Sequence, residues 1–335
     1  MPGACGEDDM YRIAIADVVE GARLGVSVFN EGGRPLVKAG VALTAYQLDQ
    51  VELRGYTRLV VLEPDEEIRP EFLPPEIRAE VIESLSPVVE FLVDAWRRET
   101  ALKVGDAQRL DLRLRRAVTS FVKEARAEHT LTLPGSVRVG GAQWLDDAIN
   151  AAAVAVHLGN LFNCEDATLT RLAHAMLLRD VGMLSLDPDL IASPGPLSPE
   201  DWQEVHKHPI IAYKTLSQLD WLDETARLVV LQHHERHDGS GYPYGLSGLH
   251  TIERSRGESL DKDLTLLASE IAAVSDVFNA LTVDRPHRPS RPPSMVRNIL
   301  SGMAGITLND EIVGALLEHW EPPIEYADEA IRTSA

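Results

Sequence analysis

The spacing of apolar positions divides the chain into a strand-rich beginning and a helix-rich remainder. Residues 11–62 contain two short apolar runs, Tyr11–Ile15 and Arg58–Leu62, separated by turn-forming glycines. The segment from Thr44 to Leu53 has the length and composition of one short helix between them. These features predict a small β-rich module.

Apolar residues then recur every three or four positions in two segments that follow a proline-bearing acidic stretch, residues 63–75. This spacing predicts two amphipathic connector helices. We expect their apolar stripes to pack within the same chain, and a homodimer contact through residues 77–126 is the alternative. The stripes consist of Ile77, Val81, Leu85, Val88 and Leu92, and of Leu114, Val118, Phe121 and Ala125.

From Trp144 onward the pattern is helical, and Ser198 followed by Pro199 is a clear helix start. The fold class predicted is therefore mainly α: an all-helical domain preceded by the β-rich module and the connector helices. The predicted helices of this domain cover residues 144–160, 166–178, 199–217, 222–235, 263–282, 294–302 and 309–319.

The composition of the chain disfavours several classes of protein. The 32 Lys and Arg residues against 52 Asp and Glu residues give a net charge of -20, which disfavours binding to DNA or to anionic membranes. The two cysteines, Cys5 and Cys164, form no disulfide framework. The chain has no signal-like start and no run of 18 apolar residues, so we expect a soluble cytoplasmic protein.

The most specific string in the sequence is HHERHDGSGYP, residues 233–243. Side chains of adjacent residues at a helix end project roughly 100° apart, so His233 and His234 can approach one metal ion from two sides. Glycines in the following loop allow the backbone to turn sharply and to approach a ligand closely. The string therefore predicts a metal or ligand site.

This string resembles the HHExxDGxGYP signature of HD-GYP domains, a subset of the HD superfamily of metal-dependent phosphohydrolases. The resemblance covers about residues 140–320, and a weaker likeness extends to residues 11–62. It implies an HD-type all-helical fold and a role in the hydrolysis of the bacterial second messenger cyclic di-GMP. The domains expected are residues 1–66 for the module, 67–135 for the connector, 136–322 for the HD-GYP-like domain and 323–335 for a tail.

In that family a helical cage holds two or three metal ions, and two of the seven matching ligand positions have changed in this chain. Arg179 and Asp147 stand where the family has histidines. A guanidinium has no lone pair for a metal, whereas a carboxylate can bind a hard cation or pair with an arginine. We predict that Arg179 takes the place of one metal and bridges Asp147 and Asp276. The positions are Asp147, Arg179, Asp180, His208, His233, His234 and Asp276.

The remaining donors, Asp180, His208, His233 and His234, would hold one divalent ion, with Asp147 and Asp276 as further candidate ligands. The resemblance favours iron or manganese, and zinc, nickel or magnesium are alternatives. Asp180 and Arg179 are the candidate catalytic residues. Because two metals normally share the work of activating water, we expect weak hydrolysis or none.

We therefore expect the protein to retain binding of the nucleotide even where its hydrolysis is weak or lost. The candidate ligand-binding residues are Gly241, Tyr242, Pro243, Arg285 and Arg288, which would hold guanine or phosphate. The alternative function is a non-enzymatic receptor or scaffold for cyclic di-GMP or for a partner such as a diguanylate cyclase, and a third is hydrolysis of another phosphoester.

Four more histidines and one insertion lie outside the matched ligand positions. We expect His157 and His174 to be core residues, and we rank His206 and His237 below the matched histidines as metal ligands. The insertion from Thr251 to Asp263 is a candidate flap over the ligand.

Overall fold

The N-terminal part of the chain is a small β-rich module, as predicted. In this computed structural model, the described residues are 11–30, 32–62, 72–98, 104–127, 131, 137–138, 143–191, 197–247, 260–283, 290–321 and 324–325. The module contains β1 (Tyr11–Ala14), β2 (Arg23–Leu24), β3 (Val28–Phe29), β4 (Pro35–Val37), α1 (Ala45–Glu52) and β5 (Tyr56–Leu62). The predicted short helix is confirmed, and Thr44 caps it by accepting a hydrogen bond from the backbone N–H of Gln47.

Two short strands from distant parts of the chain complete the sheet of this module. Strand β6 (Val137–Arg138) pairs antiparallel with β5, and β7 (Ile324–Glu325) pairs parallel with β1. The sheet thus takes residues from three of the four predicted segments. The segment boundaries themselves stay a prediction.

The rest of the structure is helical. The connector helices are α2 (Pro75–Arg98) and α3 (Val104–Ala127). They are followed by α4 (Gln143–Leu161), α5 (Asp166–Leu178), α6 (Pro188–Ile191), α7 (Pro199–Val205), α8 (His208–Leu216), α9 (Glu224–Gln232), α10 (Leu260–Thr282), α11 (Pro293–Met303) and α12 (Asp310–His319). The chain is therefore mainly α, with an all-helical domain after the β-rich module and the connector.

The helix predicted over residues 199–217 is two helices, which corrects that prediction. Helix α7 ends at Val205 and α8 begins at His208, with Pro209 in its first turn. A proline disfavours helical conformation in the residue before it and provides no N–H for a continuing helix. The break brings His208 to the beginning of a helix.

The connector helices belong to the core of the helical domain. Apart from Ile77, which is partly buried and packs against the cluster, their apolar stripes are buried in one cluster that also includes Ile149 of α4 and Leu172 of α5. Burial of the stripes within the chain is confirmed, whereas the dimer contact stays a prediction. None of the described helices combines the length and the apolar character needed to cross a membrane.

Candidate metal centre

Four side chains converge where three helices end or begin. Asp180 follows α5, His208 opens α8, and His233 and His234 follow α9. One potential ligand atom from each of these residues lies within 4.8 Å of the corresponding atoms of the other three. The structure therefore brings together the four residues that the sequence grouped as a one-metal site.

Backbone carbonyls orient two of these rings. The Nδ1 atoms of His208 and His233 each lie 2.7 Å from a carbonyl oxygen three residues earlier, those of Val205 and Val230. Because a carbonyl only accepts hydrogen bonds, each Nδ1 carries the proton and each Nε2 presents a lone pair. Histidines that bind a metal through one ring nitrogen typically donate a hydrogen bond from the other nitrogen in this way.

The two free nitrogens face each other without a proton between them. The Nε2 atoms of His208 and His233 are 3.4 Å apart, and burial lowers the pKa of His208 to about 4. Two lone pairs at that separation repel each other unless a cation lies between them. With a carboxylate and three imidazoles nearby, this donor set fits one divalent transition-metal ion.

Asp180 divides its two oxygens between the histidines and Arg179. Its Oδ1 lies 3.5 Å from Nε2 of His208 and 3.7 Å from Nε2 of His233, whereas its Oδ2 lies 3.2 Å from Nη2 of Arg179. Burial raises the pKa of Asp180, but the charge of Arg179 outweighs that effect and holds the pKa well below its usual value. Asp180 is thus an anion placed between Arg179 and the two imidazoles.

Arg179 is a fixed cation inside the domain. Its side chain is 1% exposed; Nε donates to Oδ1 of Asp276 at 3.0 Å, and Nη1 donates to the carbonyl of Met176 at 2.8 Å. Burial lowers the pKa of Arg179, but Asp180, Asp276 and Asp147 together raise it above its ordinary value. The guanidinium therefore stays charged between carboxylates that lie beside the histidines.

Asp276 and Asp147 lie outside the four-residue cluster. Asp276 is on α10, and its Oδ2 is 3.8 Å from Nδ1 of His234. Burial raises the pKa of Asp276, but Arg179 more than compensates and the pKa is about 2. Its observed partner is thus Arg179, and Asp147 acts on the same guanidinium electrostatically. Metal ligation by either carboxylate stays a prediction.

A glycine allows the close contact between the turn after Asp180 and the beginning of α8. A Cβ atom added to Gly182 would lie 2.1 Å from the carbonyl oxygen of His208 and 2.9 Å from its carbonyl carbon. Only glycine tolerates this approach of two backbones. The contact holds Asp180 next to His208.

The signature loop folds back against the candidate metal centre. A Cβ atom on Gly241 would lie 2.4 Å from the carbonyl oxygen of His234, and the N–H of Tyr242 donates to that oxygen at 3.2 Å. Glu235 anchors the loop by accepting from the N–H groups of Tyr244 and Leu246, each at 2.8 Å. Gly241 and Tyr242 are therefore beside the cluster, and Pro243 follows directly.

Some predicted positions fall outside the described residues. Arg285 and Arg288 are among them, as is the insertion from Thr251 to Asp263 up to the start of α10. Their roles as ligand-binding residues and as a flap stay predictions.

The other histidines in the described part of the chain do not join the cluster. His237 lies 2.7 Å from Oε1 of Glu270, and His174 lies 2.9 Å from the carbonyl of Thr170. His157 is buried with edge contacts to aromatic neighbours. His206 stacks on Tyr242 at 3.9 Å, a relationship that sequence reasoning missed because it depends on how the signature loop folds back.

Part of the chain is similar in sequence to known proteins. Residues 115–256 match the family model described as an HD domain. A 3'3'-cGAMP-specific phosphodiesterase 2 from Vibrio cholerae is 25% identical over 201 residues, 60% of this chain and 36% of that protein. The cyclic di-GMP phosphodiesterase response regulator RpfG of Xanthomonas campestris is 31% identical over 141 residues, 42% of this chain and 34% of that protein.

A third relative, 3'3'-cGAMP-specific phosphodiesterase 3 of Vibrio cholerae, is 28% identical over 246 residues, 69% of this chain and 48% of that protein. The chain thus spans between a third and a half of the length of these curated relatives. The solved HDG"Y"P protein Bd1817 from Bdellovibrio bacteriovorus has a TM-score of 0.49 and 13% identity, covering 92% of this chain and 99% of that one. That likeness is too distant to inform the site.

The helical domain matches the HD-domain family over residues 115–256, and its sequence is similar to those of cyclic dinucleotide phosphodiesterases. Arg179 stands directly before Asp180 in this domain.

Proposed function

We propose that this protein is a one-metal homologue of the HD-GYP phosphodiesterases in bacterial second-messenger signalling, which binds cyclic di-GMP and hydrolyses it weakly or not at all. The observation that carries the proposal is the buried guanidinium of Arg179 beside a four-residue cluster of metal-ligand type. The names of the relatives support a cyclic dinucleotide as the ligand class.

The ion would be held by Asp180, His208, His233 and His234, with iron or manganese as the favoured metals. When bound, a divalent cation polarises a phosphodiester and lowers the pKa of a water molecule. The protein's own contribution is to fix the ligands: two imidazoles through backbone carbonyls, and Asp180 through Arg179.

Arg179 explains the expected loss of rate. All three nitrogens of its guanidinium already have partners: Asp276, the Met176 carbonyl and Asp180. At 1% exposure its side chain does not reach a substrate, so its contribution to the reaction is electrostatic. It also opposes entry of a second metal ion, because it places a positive charge between the carboxylates that would attract one.

The retained signature loop supports a protein that still binds its ligand, rather than one whose ligand site has been lost. Gly241 and Tyr242 lie against His234, so the surface beside the cluster stays organised although the HD motif has changed. The alternative function is therefore a receptor or scaffold that binds cyclic di-GMP or a signalling protein such as a diguanylate cyclase. A homodimer and a cytoplasmic location belong to the same proposal.

The test is anaerobic hydrolysis of cyclic di-GMP and of 3'3'-cGAMP by the metal-loaded protein, with product chromatography and a parallel equilibrium binding assay. His233→Ala controls for contaminating phosphodiesterases. Slow formation of pGpG or GMP that is lost in this variant supports the weak enzyme, and binding without turnover supports the receptor. Turnover of another phosphoester in a substrate panel, without binding of either cyclic dinucleotide, would refute the proposal.

Metal stoichiometry gives an independent test. We expect one equivalent of manganese or iron per chain by elemental analysis, and a higher value for Arg179→His, which restores a lone pair at that position. Two equivalents in the unchanged protein would contradict the role proposed for Arg179.

A further inference from the structure

The third imidazole of the cluster lacks the anchor that fixes the other two. His208 and His233 each use Nδ1 to bond a backbone carbonyl. The Nδ1 of His234 is 3.8 Å from Oδ2 of Asp276, which is beyond hydrogen-bonding distance, and no hydrogen bond reaches this ring from the residues that the structure describes. Something other than a hydrogen bond must set its orientation.

A stack of rings provides that constraint. The ring of Tyr242 lies 4.6 Å from that of His234 with an interplanar angle of 26°, and 3.9 Å from that of His206 with an angle of 18°. No contact joins His206 to His234 in the described part of the chain, so the two imidazoles cover opposite faces of Tyr242. Each face of the tyrosine is therefore occupied.

Backbone contacts fix Tyr242 only on the side that faces His234. The N–H of Tyr242 donates to the carbonyl of His234, and Gly241 lies against the same carbonyl. These contacts place the tyrosine near His234 but leave its ring free to tilt outward. His206, the C-cap residue of α7, closes that outward side.

We infer that His206 is a positioning residue of the metal centre, which holds Tyr242 against His234 and so orients the nitrogen that ligates the ion. This inference rests on the proposed metal binding. His206 is half-buried and is not part of the ligand cluster, so its contribution comes from the flat ring.

Two substitutions of His206 separate the effect of its flat ring from the effect of its ring nitrogens. His206→Phe keeps a flat ring that stacks on Tyr242 but has no nitrogen, whereas His206→Ala removes the ring. Trp202→Ala is the matched control, because the Trp202 ring contacts His206 in a tilted arrangement at 5.5 Å and is one step further from the cluster.

The experiment measures the dissociation constant for Mn²⁺ of each full-length variant by competition with a fluorescent chelator, together with the melting temperature of the metal-free protein. Loss of residues that orient a ligand typically weakens metal binding by 10–100-fold, so we expect about a tenfold loss for His206→Ala. His206→Phe and Trp202→Ala should match the wild type, and the metal-free melting temperatures should agree.

Each other result overturns the inference. Equal Mn²⁺ affinity in His206→Ala and wild type would show that the stack does not orient His234. An equal loss in His206→Phe would assign the effect to the imidazole nitrogens instead. If the wild type binds no Mn²⁺, the proposed function fails as well, and that outcome is distinct because it appears before any substitution is made.

Discussion

Nε of Arg179 donates a hydrogen bond to Oδ1 of Asp276 at 3.0 Å in the interior of the helical domain, beside the histidine cluster. The same guanidinium lies 3.2 Å from Asp180, so one cation neutralises two carboxylates, one in the turn after α5 and one on α10. Replacing both partners of a buried pair by apolar groups is often tolerated, whereas removing one partner leaves an uncompensated charge.

Arg179→Met should therefore be strongly destabilising, with a loss of about 3–5 kcal/mol in the free energy of unfolding of the metal-free protein. Urea denaturation measures this change. The matched control is Arg171→Met, whose partially exposed ion pair with Asp223 at 3.2 Å should contribute about 1 kcal/mol or less. Similar losses in the two variants would contradict the structural role of Arg179.

Helices with a clear apolar period were predictable from sequence. The helix predicted over residues 166–178 is observed as Asp166–Leu178, because its apolar residues are buried in the core and its end coincides with the changed HD motif. The helix predicted over 199–217 was wrong at the position where Pro209 interrupts an otherwise helical pattern. The strands β6 and β7 were missed, since two residues carry no periodic signal.

For the site, the sequence identified which residues would meet but not how they are held. The four clustered residues follow from the resemblance, because each stands in a motif. The contact of Gly182 with the His208 backbone and the stack of His206 on Tyr242 depend on how separate segments pack. Arg179 was predicted to replace a metal, but its bond to the Met176 carbonyl required the three-dimensional structure.

Metal binding should stabilise the folded protein, by an amount that rises with the logarithm of the free ion concentration above the dissociation constant. At a free ion concentration of about 100 times the dissociation constant, the gain is about 2.7 kcal/mol, so the melting temperature should rise on addition of Mn²⁺ and return after chelation. His233→Ala should abolish this shift. His237→Gln is the control, because His237 pairs with Glu270 outside the cluster, and the shift should persist whatever its own stability. If the Mn²⁺-dependent rise in melting temperature were lost only in the His237 variant, the metal would bind near His237 and Glu270 and not at the cluster.

Gly182→Ala tests the backbone contact beneath Asp180. The added Cβ would lie 2.1 Å from the carbonyl oxygen of His208, so the turn must move away and carry Asp180 with it. We expect a loss of about 1–3 kcal/mol in the free energy of unfolding and weaker Mn²⁺ binding.

Gly314→Ala is the matched control for that substitution. A Cβ on Gly314, within α12, would meet nothing within 4 Å. Alanine should stabilise this helix interior by roughly 0.5–1 kcal/mol and leave metal affinity unchanged. If alanine at position 182 were as harmless as at 314, the close approach of the turn to α8 would be refuted.

His174 should make stability depend on pH at a position away from the cluster. Burial lowers its pKa to about 4, against the opposing effect of the bond to the Thr170 carbonyl, whereas the unfolded chain has the ordinary value of 6.5. Between pH 6.5 and about 4, His174 is therefore protonated in the unfolded chain but neutral in the folded protein. Stability attributable to His174 is complete above pH 6.5 and falls as the pH decreases towards 4, by up to about 1.4 kcal/mol per pH unit.

The measurement is the free energy of unfolding of the metal-free protein in urea at pH 7 and at pH 5. Other buried histidines, including His208, add to the slope of the wild type, so the comparison is between slopes. His174→Leu should reduce the slope by the contribution of one group. Leu172→Ala, a buried neighbour on α5 that does not titrate, should lower stability at both pH values by the same amount. An unchanged slope in the His174 variant would show that this histidine takes up a proton in the folded protein as readily as in the unfolded chain.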